Sequence, residues 1–126
     1  MEYLIIIDNI FVDSLLCLKD NYQLKYLTIA NCPNITDLSF IQENSKLEIL
    51  QLSKIGTNDL SSIVNCDNLT TLSLEYFNTG EIDVSFFKNL LDLEHVTLIS
   101  CSIYDLKVLE NCIFIQQLGI NNCCQL

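Results

Sequence analysis

Leu24-Lys25-Tyr26-Leu27-Thr28-Ile29-Ala30-Asn31-Cys32 is answered 23 residues later by Leu47-Glu48-Ile49-Leu50-Gln51-Leu52-Ser53-Lys54-Ile55. Working outward, the pattern begins at Met1, Leu24, Leu47, Leu69, Leu93 and Ile115, at intervals of 23, 23, 22, 24 and 22 residues. Its first, fourth and sixth columns are aliphatic or Met in every repeat. The fourth reads Leu4, Leu27, Leu50, Leu72, Val96, Leu118, and the sixth Ile6, Ile29, Leu52, Leu74, Leu98, Ile120. Apolar residues two apart along a segment mark a strand with one buried face. A repeat of this length means a solenoid, in which each unit buries its apolar face only against its neighbours.

The second half of each unit aligns when counted back from the next start. Nine residues before it stand Leu15, Leu38, Leu60, Val84 and Leu106; six before it stand Leu18, Ile41, Ile63, Phe87 and Leu109. The variation in length therefore falls in the loop after the strand, where it is tolerated. Ten residues before each start stand Ser14, Asp37, Asp59, Asp83 and Asp105. A short oxygen side chain ahead of an apolar residue predicts a helix N-cap, hence one short helical or 3₁₀ turn per repeat. A cation ladder is the weaker reading of this column, because one ligand per repeat binds calcium poorly.

These columns, with Ile35-Thr36-Asp37-Leu38-Ser39 and Ile103-Tyr104-Asp105-Leu106, resemble the leucine-rich repeat family. They are most similar to its 22-residue class, found in phosphatase regulatory subunits and internalins. The resemblance implies an α/β chain coiled as a right-handed, horseshoe-like solenoid. It implies a six-strand parallel sheet on the concave face, short helical or 3₁₀ turns on the convex face, and protein ligands held in the concavity. It covers nearly all of residues 1–126, expected to form a single domain of six repeats. The family's ninth position is usually Asn, which bonds the loop backbone. Here it is Asn9, Cys32, Ile55, Phe77, Cys101 and Cys123. Cys is a weak donor, and Ile and Phe have none, so the middle of this ladder is expected to be looser or repacked. The junction at Asn78-Thr79-Gly80-Glu81 is expected to be the least regular.

The net charge is −10, and the six basic residues are all lysines, scattered along the chain. A nucleic-acid ligand needs a basic surface and an anionic membrane repels this one, so neither is an expected partner. No basic segment precedes Leu4-Ile5-Ile6-Ile7, so it does not read as a signal peptide, and no apolar run has the length of a membrane span. The seven cysteines mostly share columns of the repeat and read as small buried hydrophobes rather than a disulfide set or a metal site. Their odd number, the lack of a Cys-x-x-Cys pair and the single His favour that reading, and with it a reducing compartment, cytoplasm or nucleus. Abundant Ile, Asn and Leu, with scarce Ala, Gly, Pro and Arg, suggest an AT-rich coding genome, such as a protist's or a large DNA virus's.

Columns three, five and seven of each strand point away from the core. Tyr3, Ile5, Ile7, Tyr26 and Ile49 make the N-terminal end of that face apolar, and Gln51, Glu75 and His95 extend it. These eight residues are the candidate protein-binding site. Exposed apolar patches mark interfaces, although such residues also suit strands for their own sake. His95 reads as a contact residue, not a base: Thr71 and Gln117 flank it on neighbouring strands, and the cysteines lie in turns or core columns, not beside it. No glycine-rich phosphate loop can be built from three glycines. The expectation is therefore a non-enzymatic protein-interaction module with no catalytic, cofactor or metal residues. The alternatives are a structural subunit that self-associates, as a homodimer, through an uncapped Tyr3–Ile7 edge strand, or a remnant of a longer array.

Overall fold

The computed structural model describes residues 1–123. The last three positions of the expected 1–126 domain, Cys124 among them, lie outside the described residues. Six strands run through it: β1 (Tyr3–Ile7), β2 (Tyr26–Cys32), β3 (Ile49–Ile55), β4 (Thr71–Glu75), β5 (His95–Ile99) and β6 (Gln117–Asn121). All are parallel and lie side by side in chain order. Between them lie 3₁₀ turns at Leu16–Leu18, Ser39–Ile41, Ser61–Asn65, Ser85–Asn89 and Lys107–Leu109. Of the two forms expected for the convex segments, 3₁₀ is the one adopted. About ten residues per convex half leave no room for a longer α-helix and two turns.

The columns of the sequence are stacks in space. Leu4 pairs with Leu27, Leu27 with Leu50, Leu50 with Leu72, Leu72 with Val96 and Val96 with Leu118. In β2 to β5 the fourth- and sixth-column side chains are 0–1% exposed. Convex residues Leu38, Ile41, Leu60, Ile63 and Phe87 close the core from the other side. At the ends the same columns open. Leu4 and Ile6 are half-buried, and Leu118 and Ile120 are 45% and 37% exposed.

Each strand begins the same way. The amides of Lys25 and Tyr26 both donate to the Glu2 carbonyl, at 2.8 and 3.0 Å. Glu48 and Ile49 do so to Lys25, Thr70 and Thr71 to Glu48, Glu94 and His95 to Thr70, and Gln116 and Gln117 to Glu94. Position eight of every repeat, just before or just after the end of its strand, also bends the same way. Asp8, Asn31, Lys54, Tyr76, Ser100 and Asn122 all take left-handed backbone angles, with φ between 50° and 63°. That bend turns position nine toward the core, with Cys32 and Ile55 still paired in the ladder after it. Asp and Asn tolerate it, whereas Lys54 and Tyr76 carry the steric cost of a bulkier side chain there.

The ninth column is repacked, not loose. The Cys101 thiol donates to the carbonyls of Leu74 and Ile99, at 3.1 and 3.3 Å. Cys32 reaches Ala30 and Ile6 at 3.3 and 3.8 Å, and Cys123 reaches Leu98 and Asn121 at 3.5 and 3.7 Å. Asn9 instead accepts from the loop amides of Phe11 and Val12. Where no side-chain donor exists, packing and backbone substitute. Ile55 continues the β2–β3 ladder opposite Cys32, and buried Phe77 accepts the Ser102 amide at its carbonyl, 2.9 Å. Cys66 and Cys112, in a convex column, also donate to carbonyls, of Ile41 and of Phe87 and Leu90. Burial pushes the Cys66 thiol up to about 12 and the Cys101 thiol up to about 11, so both stay protonated and able to donate.

The Asp column caps its turns from one residue further out than expected. Leu15, Leu38, Leu60, Val84 and Leu106 hold the N-cap positions and provide no side-chain bond. The carboxylates of Asp37, Asp59, Asp83 and Asp105 accept from amides two residues on, those of Ser39, Ser61, Ser85 and Lys107, at 2.7–3.0 Å. Ser14 does the same for Leu16 at 3.3 Å. These are Asx and Ser turns, which close a loop before a helix begins. The apolar cap residue is left free to enter the core.

Candidate functional site

Odd-numbered strand positions face away from the core because side chains alternate along a strand. On β1 this exposes Tyr3, Ile5 and Ile7, at 67%, 59% and 55%. Tyr26 and Ile49 continue the row of Tyr3 across β2 and β3 and are half-buried. The five residues form an L, with one arm along β1 and the other across three strands. The rings of Tyr3 and Tyr26 lie 6.1 Å apart at an interplanar angle of 35°. Such contact between rings steadies both at little entropic cost.

Thr28 fills the inner corner of the L, and beside it on β3 stands Gln51. Its Oε1 accepts from the Thr28 hydroxyl at 2.9 Å and the Tyr26 hydroxyl at 3.3 Å. That pair of bonds fixes the Tyr26 ring over the sheet. Nothing in the repeat pattern announces it, because it depends on three residues from two adjacent strands. Beyond Gln51 the face becomes small and polar. A shallow depression of about 190 Å³ is lined by Thr28, Ala30, Gln51, Ser53, Ser73 and Glu75. Glu75 accepts from the Ser73 hydroxyl at 3.3 Å.

The eight candidate residues thus divide. Tyr3, Ile5, Ile7, Tyr26, Ile49 and Gln51 are brought together. Glu75 lies across the depression from them on β4. His95 stands apart on β5, paired in register with Thr71 and Gln117 and separated from Ile49 by a strand. Along the rim, the Asn31 amide donates to Asp8 at 2.8 Å, and the Lys54 ammonium lies 4.6 Å from the centre of the Tyr76 ring. Across the strand starts, Lys25 and Glu2 form an ion pair at 3.2 Å. The pair is largely exposed, so it contributes little to stability.

Two features outside the concave face went unread in the sequence. A groove of about 420 Å³ lies between the fourth and fifth convex turns, lined by Ile82, Val84, Tyr104 and Val108 among others. Asp83 and Asp105 at its edge are already engaged by turn amides. Leu91 and Ile113, both two residues before a repeat start, and Phe114 beside Ile113 are exposed on the loops leading into β5 and β6. The signal was available: the earlier repeats carry Tyr22, Ser45 and Asp67 in the column of Leu91 and Ile113.

No protein-family model and no curated protein matches the chain. Solved structures do. Internalin C2 from Listeria monocytogenes superposes with a TM-score of 0.83 over 96% of this chain and 53% of its own, at 22% identity. An internalin F from the same organism superposes with a TM-score of 0.66 over 86% of this chain and 38% of its own, at 21% identity. The chain thus spans about half the length of the first and less of the second. What is shared at these identities is the path of the backbone: a leucine-rich repeat solenoid, its parallel sheet on the concave face and 3₁₀ turns on the convex face.

Proposed function

We propose that the chain is a non-enzymatic protein-interaction module that holds a protein ligand on its concave sheet. The exposure of Tyr3, Ile5 and Ile7 beside Tyr26 and Ile49 carries this reading. Water contact with large apolar side chains is unfavourable, and a core of buried aromatics with a polar rim is how interfaces gain affinity. Asp8, Lys54 and Tyr76 supply such a rim. A net charge of −10 argues against nucleic acid or an anionic membrane as the ligand. Five thiols, in two columns of the coil, donate hydrogen bonds and must be reduced to do so. This supports a cytoplasmic or nuclear setting.

The test is capture of partners from the source organism. Tyr26→Asp with Ile49→Asp should abolish capture while the circular dichroism spectrum and melting temperature stay close to the parent's. Capture that persists in the double variant would sink the concave reading.

A second reading is self-association through β1. Its support is that β1 has a neighbouring strand on one side only among the described residues, with half-open Leu4 and Ile6 beside the exposed Ile5 and Ile7. Unpaired strand edges of this kind recruit other strands. Light scattering decides it, since a monomer at high micromolar concentration rules it out.

A further inference from the structure

The seventh position of every strand lies in one row across the sheet: Ile7, Ala30, Ser53, Glu75, Ile99, Asn121. The row begins with an exposed apolar residue, crosses two small ones, and reaches a carboxylate. Glu75 is the only Asp, Glu, Lys or Arg at positions three, five and seven of the six strands. Its recorded side-chain contact is the Ser73 hydroxyl, at 3.3 Å. The nearest lysine along the rim, Lys54, rests on the Tyr76 ring, and the one ion pair among the described residues is Lys25 with Glu2. Glu75 is therefore a half-exposed carboxylate with hydrogen-bonding capacity to spare, facing out over the depression lined by Ala30 and Ser53. The surrounding chain is strongly acidic and has no arginine of its own. Its field draws cations to such a site.

We propose that the ligand is an extended protein segment lying along this row, with an apolar side chain seated on Ile5 and Ile7 and a Lys or Arg paired with Glu75, four residues apart. The proposal rests on the concave reading above and adds the chemistry of the ligand. The spacing follows from geometry. Ile7 and Glu75 are three strand intervals apart, roughly 14 Å at the usual ~4.8 Å spacing. An extended segment rises about 3.3 Å per residue, so four residues cover about 13 Å. Residues four apart also fall on the same side of an extended segment. A spacing of three or five would turn one of the two side chains away from the sheet. Ala30 and Ser53 have the short side chains that let a backbone pass close over the middle of the row.

The test uses the full chain and a displayed library of random dodecapeptides, followed by synthetic peptides of the enriched sequence. Enriched peptides should carry an aliphatic or aromatic residue and a Lys or Arg four positions apart. Their affinity should fall about three- to tenfold on Glu75→Gln and weaken similarly when salt is raised. Glu75→Lys should reverse the preference, favouring the peptide whose basic residue is replaced by Glu. Peptides that lose binding on Ile7→Asp, yet are indifferent to Glu75→Gln or lack the spaced pair, overturn this proposal and leave the concave reading intact. Peptides indifferent to Ile7→Asp and to the Tyr26 and Ile49 variants overturn both. A library that yields no enrichment over bare support overturns the extended-segment ligand.

Discussion

The two faces of the sheet obey different rules. On the inner face, columns four and six are Leu, Ile or Val in every strand and 0–1% exposed in β2 to β5. On the concave face, column five alone holds Ile5, Thr28, Gln51, Ser73, Thr97 and Gly119. Interiors are packed as densely as crystals, so each inner side chain is constrained by its neighbours above and below. Outward side chains meet solvent and need only suit a strand. The fold dictates the first set and leaves the second nearly free. Apolar residues on the free face, as at Tyr3, Ile5 and Ile7, are not required by the coil. That is why they, and not the leucines, point to function.

The sharpest way to break this contrast is on one strand. Leu72 and Ser73 are adjacent on β4, one fully buried and one facing out. Leu72→Ala should cost about 2–5 kcal/mol in urea unfolding, the transfer and cavity terms together. Ser73→Ala should change stability by less than about 0.5 kcal/mol. Comparable losses would mean that the concave face carries stability as well, and that its composition could not be read as free.

Next in size is Gly56, which ends the β3 rung. A Cβ built there would lie 2.2 Å from the Pro33 carbonyl oxygen and 3.0 Å from that of Ile35, while the Gly56 amide donates to Ile35 at 2.8 Å. Two backbones meet here with no room for a side chain. Gly56→Ala should cost about 1–3 kcal/mol by forcing them apart. The loss should be absent from a control, Gly119→Ala on β6, where the nearest atom to a new Cβ is the Thr97 hydroxyl at 3.8 Å.

The inner face could be read from the sequence because its rule is periodic. Columns four and six, and the convex columns of Leu38 and Ile41, each repeat one requirement, and the strands follow it residue for residue. Three things could not be read that way. The left-handed angle at position eight is set by the bend that turns position nine toward the core, and Lys54 and Tyr76 carry no local signal for it. The donation by Cys32 and Cys101 depends on carbonyls brought near by the preceding strand. The Gln51 contact with Tyr26 and Thr28 depends on which rotamers three neighbours share. The apolar arm of the concave site was legible, because its residues break an expected polarity. The separation of His95 from that arm was legible too, because the order of the repeats puts it two strands beyond Ile49.

A smaller effect concerns the convex turns that hold the inner face closed. The Ser39 amide and hydroxyl hold the Asp37 carboxyl below its usual 3.8, the Ser61 hydroxyl and amide do so for Asp59, and the Ser85 amide and hydroxyl for Asp83. A carboxylate depressed in the folded state stabilises it fully above the unfolded value and loses that contribution as pH falls through the folded one. Lowering the pH below about 4 should therefore reduce the melting temperature. Protonation also relieves the repulsion of a net charge of −10, which acts the other way. The triple variant Asp37→Asn, Asp59→Asn, Asp83→Asn separates the two, because Asn still closes the turn but does not titrate. It should melt at the same temperature at pH 5 and pH 3 more nearly than the parent does. A parent and variant with the same acid sensitivity would assign the loss to other carboxylates.

The smallest effect lies on the rim between the two faces. Lys54 and Tyr76 both hold left-handed backbone angles, φ 50° and 63°, and their side chains touch as cation and ring at 4.6 Å. A left-handed angle costs an ordinary residue about 1–2 kcal/mol, and Asn escapes part of that. An exposed cation–π contact returns about 0.5–1 kcal/mol. Lys54→Asn with Tyr76→Asn removes two strained positions and one contact, so the balance predicts a gain of about 1 kcal/mol in urea unfolding. A stabilised variant would show that the rim, unlike the inner face, holds residues the coil would not select, which is the pattern expected where a surface serves a ligand. A destabilised one would mean that the Lys54–Tyr76 contact outweighs its backbone cost. The rim would then belong with the inner face, as part of what holds the sheet together.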